Sequence, residues 1–308
     1  MSINSRTALL ALAENDALKQ MLVRNGMSKG FVKRFVAGET LPDAMAAARE
    51  LGRKDIRAAL DFLGENVTTE TEAREATDSY IATLDAIAEA GLADSYISVK
   101  LTALGLDLGA QTAGDNLNRI LEAAQAHNGA FVRVDMEGSA YTQVTLDIVR
   151  TAHQTFANVG TVLQSYLYRT DDDVQQLIAD GIPVRLVKGA YAEPPTVAYA
   201  DKMDVDIAYL RQMKELLLHG YKPAIASHDE AILREAKRFI REHRVPGDTF
   251  EFQLLLGIRR DLQETLATEG YPVRAYVPFG RSWYPYFMRR LAERPANIAF
   301  ILKNLVKP

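Results

Sequence analysis

Residues 184–191 read VRLVKGAY. Val184, Leu186 and Val187 make the start of a buried strand, yet Arg185 and Lys188 bring charge into it. A short apolar run of this kind suits a parallel sheet covered on both faces, where an unpaired cation costs several kcal/mol. Both basic residues therefore need partners or a ligand. A structural ion pair with Glu137 is the ordinary expectation for Arg185.

The same grammar extends in both directions. Eight short runs read as strands: IRAALDFLG, SYISVKLTAL, AFVRVDME, GTVLQSYLY, VRLVKGAY, KPAIASH, TFEFQLLLG and VRAYVPFG. Between them lie amphipathic stretches such as DNLNRILEAAQAH, YTQVTLDIVRTAHQTFANV, TDDDVQQLIADG and DEAILREAKRFIREH, with apolar residues three and four apart. Strand and helix in alternation imply parallel strands joined by crossover helices. Eight such units in roughly 250 residues fit a (βα)8 barrel better than an open doubly wound sheet. The first run, near Ile56 to Leu63, reads equally as helix. Residues 1–50 are expected as a helical segment before the barrel and 51–308 as the barrel itself, with SWYPYFMRRLAERP and NIAFILKNLV as closing helices.

Composition narrows the function. The 308 residues carry 36 basic and 40 acidic side chains, so no strongly basic nucleic-acid surface is expected. The absence of cysteine removes disulfides, thiolate metal sites and cysteine nucleophiles. No uninterrupted apolar run approaches membrane-spanning length, and the N-terminal stretch, with Glu14 and Asp16, is unlike a secretory presequence. A cytoplasmic location is expected.

Active sites of such barrels form at the C-terminal strand ends. The polar residues found there are Glu65, Lys100, Asp135 with Glu137, Gln164, Arg185 with Lys188, His228, Gln253 and Tyr276. Any one of them has a plain explanation as the point where a strand meets water. After the eighth strand, Tyr286, Arg289, Arg290 and Glu293 fall at i, i+3, i+4 and i+7, one helical stripe. Facing solvent, the stripe is an ordinary charged surface; turned over the mouth, it offers two guanidiniums to a carboxylate. G-x-G-x-x-G, Walker A and H-E-x-x-H patterns are absent, and the five histidines show no metal-ligand spacing. No metal is expected.

In order and spacing, SVKLTALG, VRVDMEG, RLVKGAY, FEFQLLLG, AYVPFG and YFMRRLAER resemble the single-function, FAD-dependent proline dehydrogenases. The resemblance implies a distorted (βα)8 barrel whose last helix lies over the mouth. It implies Arg289 and Arg290 on the proline carboxylate, Lys100 and Asp135 beside the substrate, Tyr276, Tyr286 and Leu255 around its ring, and Glu65 as a gate. For FAD it implies Arg185, Val187, Gly189, Gln164, His228, Glu293 and Lys202. It further implies L-proline oxidised to pyrroline-5-carboxylate, reoxidation by a quinone at a membrane surface, and a separate pyrroline-5-carboxylate dehydrogenase downstream. The chain departs from some relatives at Ala192 and at Ser227-His228-Asp229. A rival reading makes Lys100 or Lys188 the amine of a Schiff-base aldolase, and a second makes the chain a silent binding module.

Overall fold

A computed structural model describes residues 34–64, 67–92 and 94–292, with side chains through Phe287. The eight expected strands form, and they close on themselves in the order β1 to β8, all neighbours parallel. They are β1 (Ile56–Phe62), β2 (Tyr96–Val99), β3 (Val132–Val134), β4 (Val159–Gln164), β5 (Val184–Val187), β6 (Ala224–Ala226), β7 (Glu251–Leu255) and β8 (Val273–Phe279). The ambiguous 56–63 run is settled as strand by pairing on both sides, seven residues of it with β8.

Among the described residues the α-helices are α1 (Leu41–Gly52), α2 (Glu70–Glu89), α3 (Ala110–Ala126), α4 (Thr142–His153), α5 (Thr170–Ala179), α6 (Lys202–His219), α7 (Glu230–His243), α8 (Arg260–Thr268) and α9 (Trp283–Ala292). Local chemistry fixes their starts. Thr40 and Thr69 each form a reciprocal capping box, with Asp43 and Glu72 respectively. Asp229 caps α7 through the Ala231 amide. The helix expected from DNLNRILEAAQAH begins earlier, at Ala110, and the one expected to run to Val159 stops at His153. No described helix is long and apolar enough to cross a membrane.

Two departures from a regular barrel shape the site. Ala37 N donates to Pro278 O and Gly280 N to Gly38 O, both at 2.9 Å, so the chain leading into α1 starts beside the C-terminal end of β8. From there α1 runs to the base of β1, packed on β1 and β8. It thus takes the outer-ring place that the helix after β8 holds in a regular barrel. That leaves α9 over the mouth: Trp283, Tyr284, Tyr286 and Phe287 share one buried apolar cluster with Leu63, Tyr276, Ile258 and the leading residues Phe35 and Val36. Residues 1–33 of the expected N-terminal segment lie outside the described residues, as do NIAFILKNLV, Glu65 and Glu293.

Candidate active site

Parallel register determines which side chains share the barrel lumen, because residues paired across strands point to the same face. Arg133 pairs with Gly160, Val162 with Arg185, Gln164 with Val187, and Arg185 with Ala224. Ala226 pairs with Gln253, Leu255 with Tyr276, Tyr276 with Ala59, and Pro278 with Asp61. The intervening residues, such as Leu60, Ile97, Val134, Leu186, Ile225 and Phe252, join the apolar layer under the helices. One face of each strand is therefore core, and the other is site.

The lumen is charged from base to mouth. At the base, Arg274 Nε donates to both Glu251 oxygens, at 2.9 and 3.1 Å, and its guanidinium stacks on the Tyr96 ring 4.0 Å from the centroid. Arg133 Nη1 donates to the Thr161 and Pro183 carbonyls. Above them, Arg185 is gripped from all sides. Its Nε donates to Gln253 Oε1 at 2.5 Å, Nη1 to Asp135 Oδ1 at 2.7 Å, and Nη2 to Ser98 Oγ at 2.9 Å and Tyr96 Oη at 3.5 Å. The expected pair with Glu137 does not form. Glu137 instead accepts from the Thr102 amide at 3.1 Å and hydroxyl at 2.6 Å, so Thr102 captures it for the β2 loop and leaves Asp135 to face Arg185.

At the top, Lys100, Asp135 and Tyr276 meet as the sequence suggested, and a fourth member joins them. Tyr276 Oη donates to Asp135 Oδ2 at 2.6 Å, and Lys100 Nζ donates to Tyr276 Oη at 3.1 Å. Lys100 Nζ also donates to both oxygens of Asp61 at 2.8 Å and stands 3.6 Å from Asp135. Asp61, fully buried on β1, escaped the strand-end reading because it lies inside an alanine-rich run. The signal was its parity: Ala59 and Asp61 alternate in step with Arg274 and Tyr276 next door.

The two carboxylates differ electrostatically. Burial, reinforced by the charge of Asp135, raises Asp61 to about 6 even though Lys100 opposes the shift. Burial acts on Asp135 too, but Arg185 and Lys100 outweigh it and hold that group below its ordinary value. Tyr276 is raised well above the usual phenol range by burial and the two acids.

On the other half of the mouth, Val187, Gly189 and His228 are partly exposed. Gly189 sits at φ +117°, and the Tyr166 ring packs so closely on its backbone that a Cβ would come within 2.3 Å. Gln164 Nε2 donates to Glu137 O at 2.8 Å. His228 Nε2 accepts from the Leu255 amide at 2.8 Å, so its proton lies on Nδ1. Lys188, the second charge of the opening stretch, donates to Asp206 at 2.5 Å and Asp229 at 3.0 Å. Lys202 does not reach the lumen; it is exposed at the start of α6 and shares those same two carboxylates. Leu255 and Tyr286 border Tyr276 in the apolar cluster. The side chains of Arg289 and Arg290 lie outside the described residues, and only their helix, α9, is in place.

The fold and these residues define a (βα)8 barrel whose polar center is at the C-terminal strand ends, capped by α9. The proline dehydrogenase family pattern matches residues 44–303, and the chain belongs to that family. It is 43% identical over 307 residues to the proline dehydrogenase of Deinococcus radiodurans, covering 98% of each chain. It is 42% identical over 302 residues to proline dehydrogenase 1 of Bacillus subtilis subsp. natto, covering 98% of this chain and 99% of that one. Among solved structures, proline utilization A from Bdellovibrio bacteriovorus inactivated by N-propargylglycine superposes with a TM-score of 0.80 at 26% identity, over 86% of this chain and 33% of its own. This chain thus spans a third of that longer protein.

Proposed function

We propose that this protein is an FAD-dependent L-proline dehydrogenase that forms pyrroline-5-carboxylate. The observation that carries the reading is the end-to-end likeness to the Deinococcus and Bacillus proline dehydrogenases. The residues of β4 to β6 fit a flavin: the Gln164 amide, the buried Arg185 guanidinium and the His228 Nδ1 hydrogen for a polar heterocycle edge, Val187 and Gly189, backed by the Tyr166 ring, for its face. Lys202, with Glu293 beyond the described residues, completes the binding set. FAD, when bound, supplies the acceptor for the hydride that leaves the ring carbon beside nitrogen.

The chain's own residues do the rest by position. Arg289 and Arg290 clamp the substrate carboxylate, a planar bidentate task suited to guanidinium. Tyr276, Tyr286 and Leu255 wall the pyrrolidine ring, and the Tyr276 phenol leaves no room for a ring hydroxyl, so proline is preferred to hydroxyproline. Lys100 and Asp135 face the ring nitrogen, and Glu65 gates access. Orientation of this kind removes several kcal/mol from a barrier. A quinone at a membrane surface takes the electrons, with the protein in the cytoplasm touching the bilayer peripherally, and a separate dehydrogenase consumes the product.

The Schiff-base reading requires a lysine that gives up its proton readily. Lys100 and Lys188 instead stand in ion pairs, with Asp61 and with Asp206 and Asp229, rather than presenting an amine to a carbonyl. The deciding experiment is the visible spectrum of the purified protein before and after anaerobic L-proline. A flavin band that bleaches supports cofactor, substrate and half-reaction together. A colorless protein that gains no band with added FAD, and is trapped by borohydride with a carbonyl substrate, overturns the reading.

A further inference from the structure

The substrate brings a proton problem to this pocket. A zwitterionic cyclic amino acid arrives with a protonated ring nitrogen, and hydride can leave the neighboring carbon only after the nitrogen lone pair is freed. Something buried must take that proton, since α9 and its aromatic cluster close the pocket on this side.

The described residues offer two carboxylates, and they are not equivalent. Asp135 accepts from Arg185 and from Tyr276, at 2.7 and 2.6 Å, so both of its oxygens are committed to donors and its charge is locked in place. Asp61 has Lys100 on both oxygens and, among the described side chains, no guanidinium. The other titratable or charged groups around it are Asp135 from β3, Tyr276 from β8, Tyr80 from α2 and, further across the lumen, Arg185 from β5. Two carboxylates pushed apart by their surroundings mark a division between a fixed charge and a proton carrier. Asp61 is the group that burial favors in its neutral form.

We propose that Asp61 receives the substrate's ammonium proton, with Lys100 as the relay. Lys100 passes one of its protons to an Asp61 oxygen and takes one from the ring nitrogen. The balance is an ammonium and a carboxylate converted to an amine and a carboxylic acid, with Lys100 unchanged and no co-reactant consumed. Two charges vanish from a dry site, which its low polarity favors. Asp61 touches no substrate in this arrangement; it is a positioning residue that acts through Lys100. The inference rests on the proposed seating of the ring nitrogen at Lys100.

Asp61→Asn keeps a hydrogen-bond acceptor for Lys100 and takes no proton. In the flavin-loaded variant, the anaerobic single-turnover rate with L-proline should fall about a hundredfold at about pH 7 and recover to within about tenfold at about pH 10, where a substantial fraction of free proline arrives already deprotonated. Equilibrium binding of the cyclic ether that replaces the ring nitrogen with oxygen brings no proton and should be no weaker than in the wild type. Asp61→Glu should retain the wild-type pH profile at reduced rate, and it carries the test if the asparagine variant does not fold. A loss by the same factor at every pH, or weaker binding of the ether, would make Asp61 a structural partner only and overturn the proposal. A wild-type protein whose flavin is not bleached by proline would instead remove the seating on which it rests.

Discussion

The two halves of the barrel mouth are built on opposite principles. From β8 round to β3, the charged side chains described in the lumen are buried and answered by one another: Asp61, Lys100 and Asp135 are each under a tenth exposed, as is the Tyr276 phenol. From β4 to β6, Val187, Gly189 and His228 are partly exposed, and apart from the buried Arg185 the nearest charges, Lys188, Lys202, Asp206 and Asp229, form a group outside the lumen. The closed half is fitted to a small polar molecule whose charges must be matched. The open half is a shelf on which something larger rests. The comparison predicts that damage to the first half spreads through the barrel, whereas damage to the second stays local.

Asp135→Ala should have the largest effect. It strips Arg185, Tyr276 and Lys100 of a shared partner. Removing one member of a buried ionic network costs about 3–5 kcal/mol. Chemical denaturation should show that loss, and proline-dependent flavin reduction should fall by about a hundredfold or more as the ring loses its orientation. A variant with wild-type stability would mean that the closed half is not the coupled unit described.

Gly189→Ala comes next. The residue must accept both φ +117° and a Tyr166 ring in the space of its Cβ. Strain at such a position is worth about 1–3 kcal/mol. Because the site lies on the open shelf, flavin retention through gel filtration should suffer more than the melting temperature of the barrel. Equal loss in both would erase the distinction between the halves.

How much of this was legible in the sequence follows from the same contrast. The alternation of strand and helix, and the polar residue that closes each apolar run, are local facts, so VRLVKGAY and its counterparts could be read without coordinates, except that the 56–63 run reads equally as helix. Lumen membership of Lys100, Asp135, Gln164, Arg185, His228 and Tyr276 came from the strand-end rule. What could not be read was partnership across the barrel. Arg185 was matched with Glu137, and only the stagger of β2 against β3 reveals that Thr102 takes Glu137 and leaves Asp135. Asp61 hid because Ala58, Ala59 and Leu60 make its strand resemble a helix, and its role needs Lys100 from the next strand. The place of α1 between β8 and β1 also depends on closure, which joins Gly38 to Gly280 across most of the chain.

The smallest effect is the one with a sign. Asp61 is raised to about 6 by burial, and Asp229 is lowered to about 2 because the hydrogen bond and charge of Lys188, the Ala231 amide and Lys202 outweigh its partial burial. A carboxyl raised in the folded state binds its proton more tightly there than in the unfolded chain, whose value is about 3.9. Its contribution to stability is therefore complete below about pH 4 and is lost as pH rises through about 6. A lowered carboxyl does the reverse: Asp229 stabilizes above about pH 4, and its contribution disappears as pH falls through about 2. Denaturation curves of Asp61→Asn and Asp229→Asn against the wild type, taken across this range, should separate the two. The wild-type advantage over Asp61→Asn should shrink from about pH 4 to 6, and that over Asp229→Asn from about pH 4 down to 2. Asp229 is more than a quarter exposed, so solvent screening keeps its effect the weaker. If both differences moved in the same direction, the lumen side of β1 would be as wet as the rim of β6, and the closed half would not be closed.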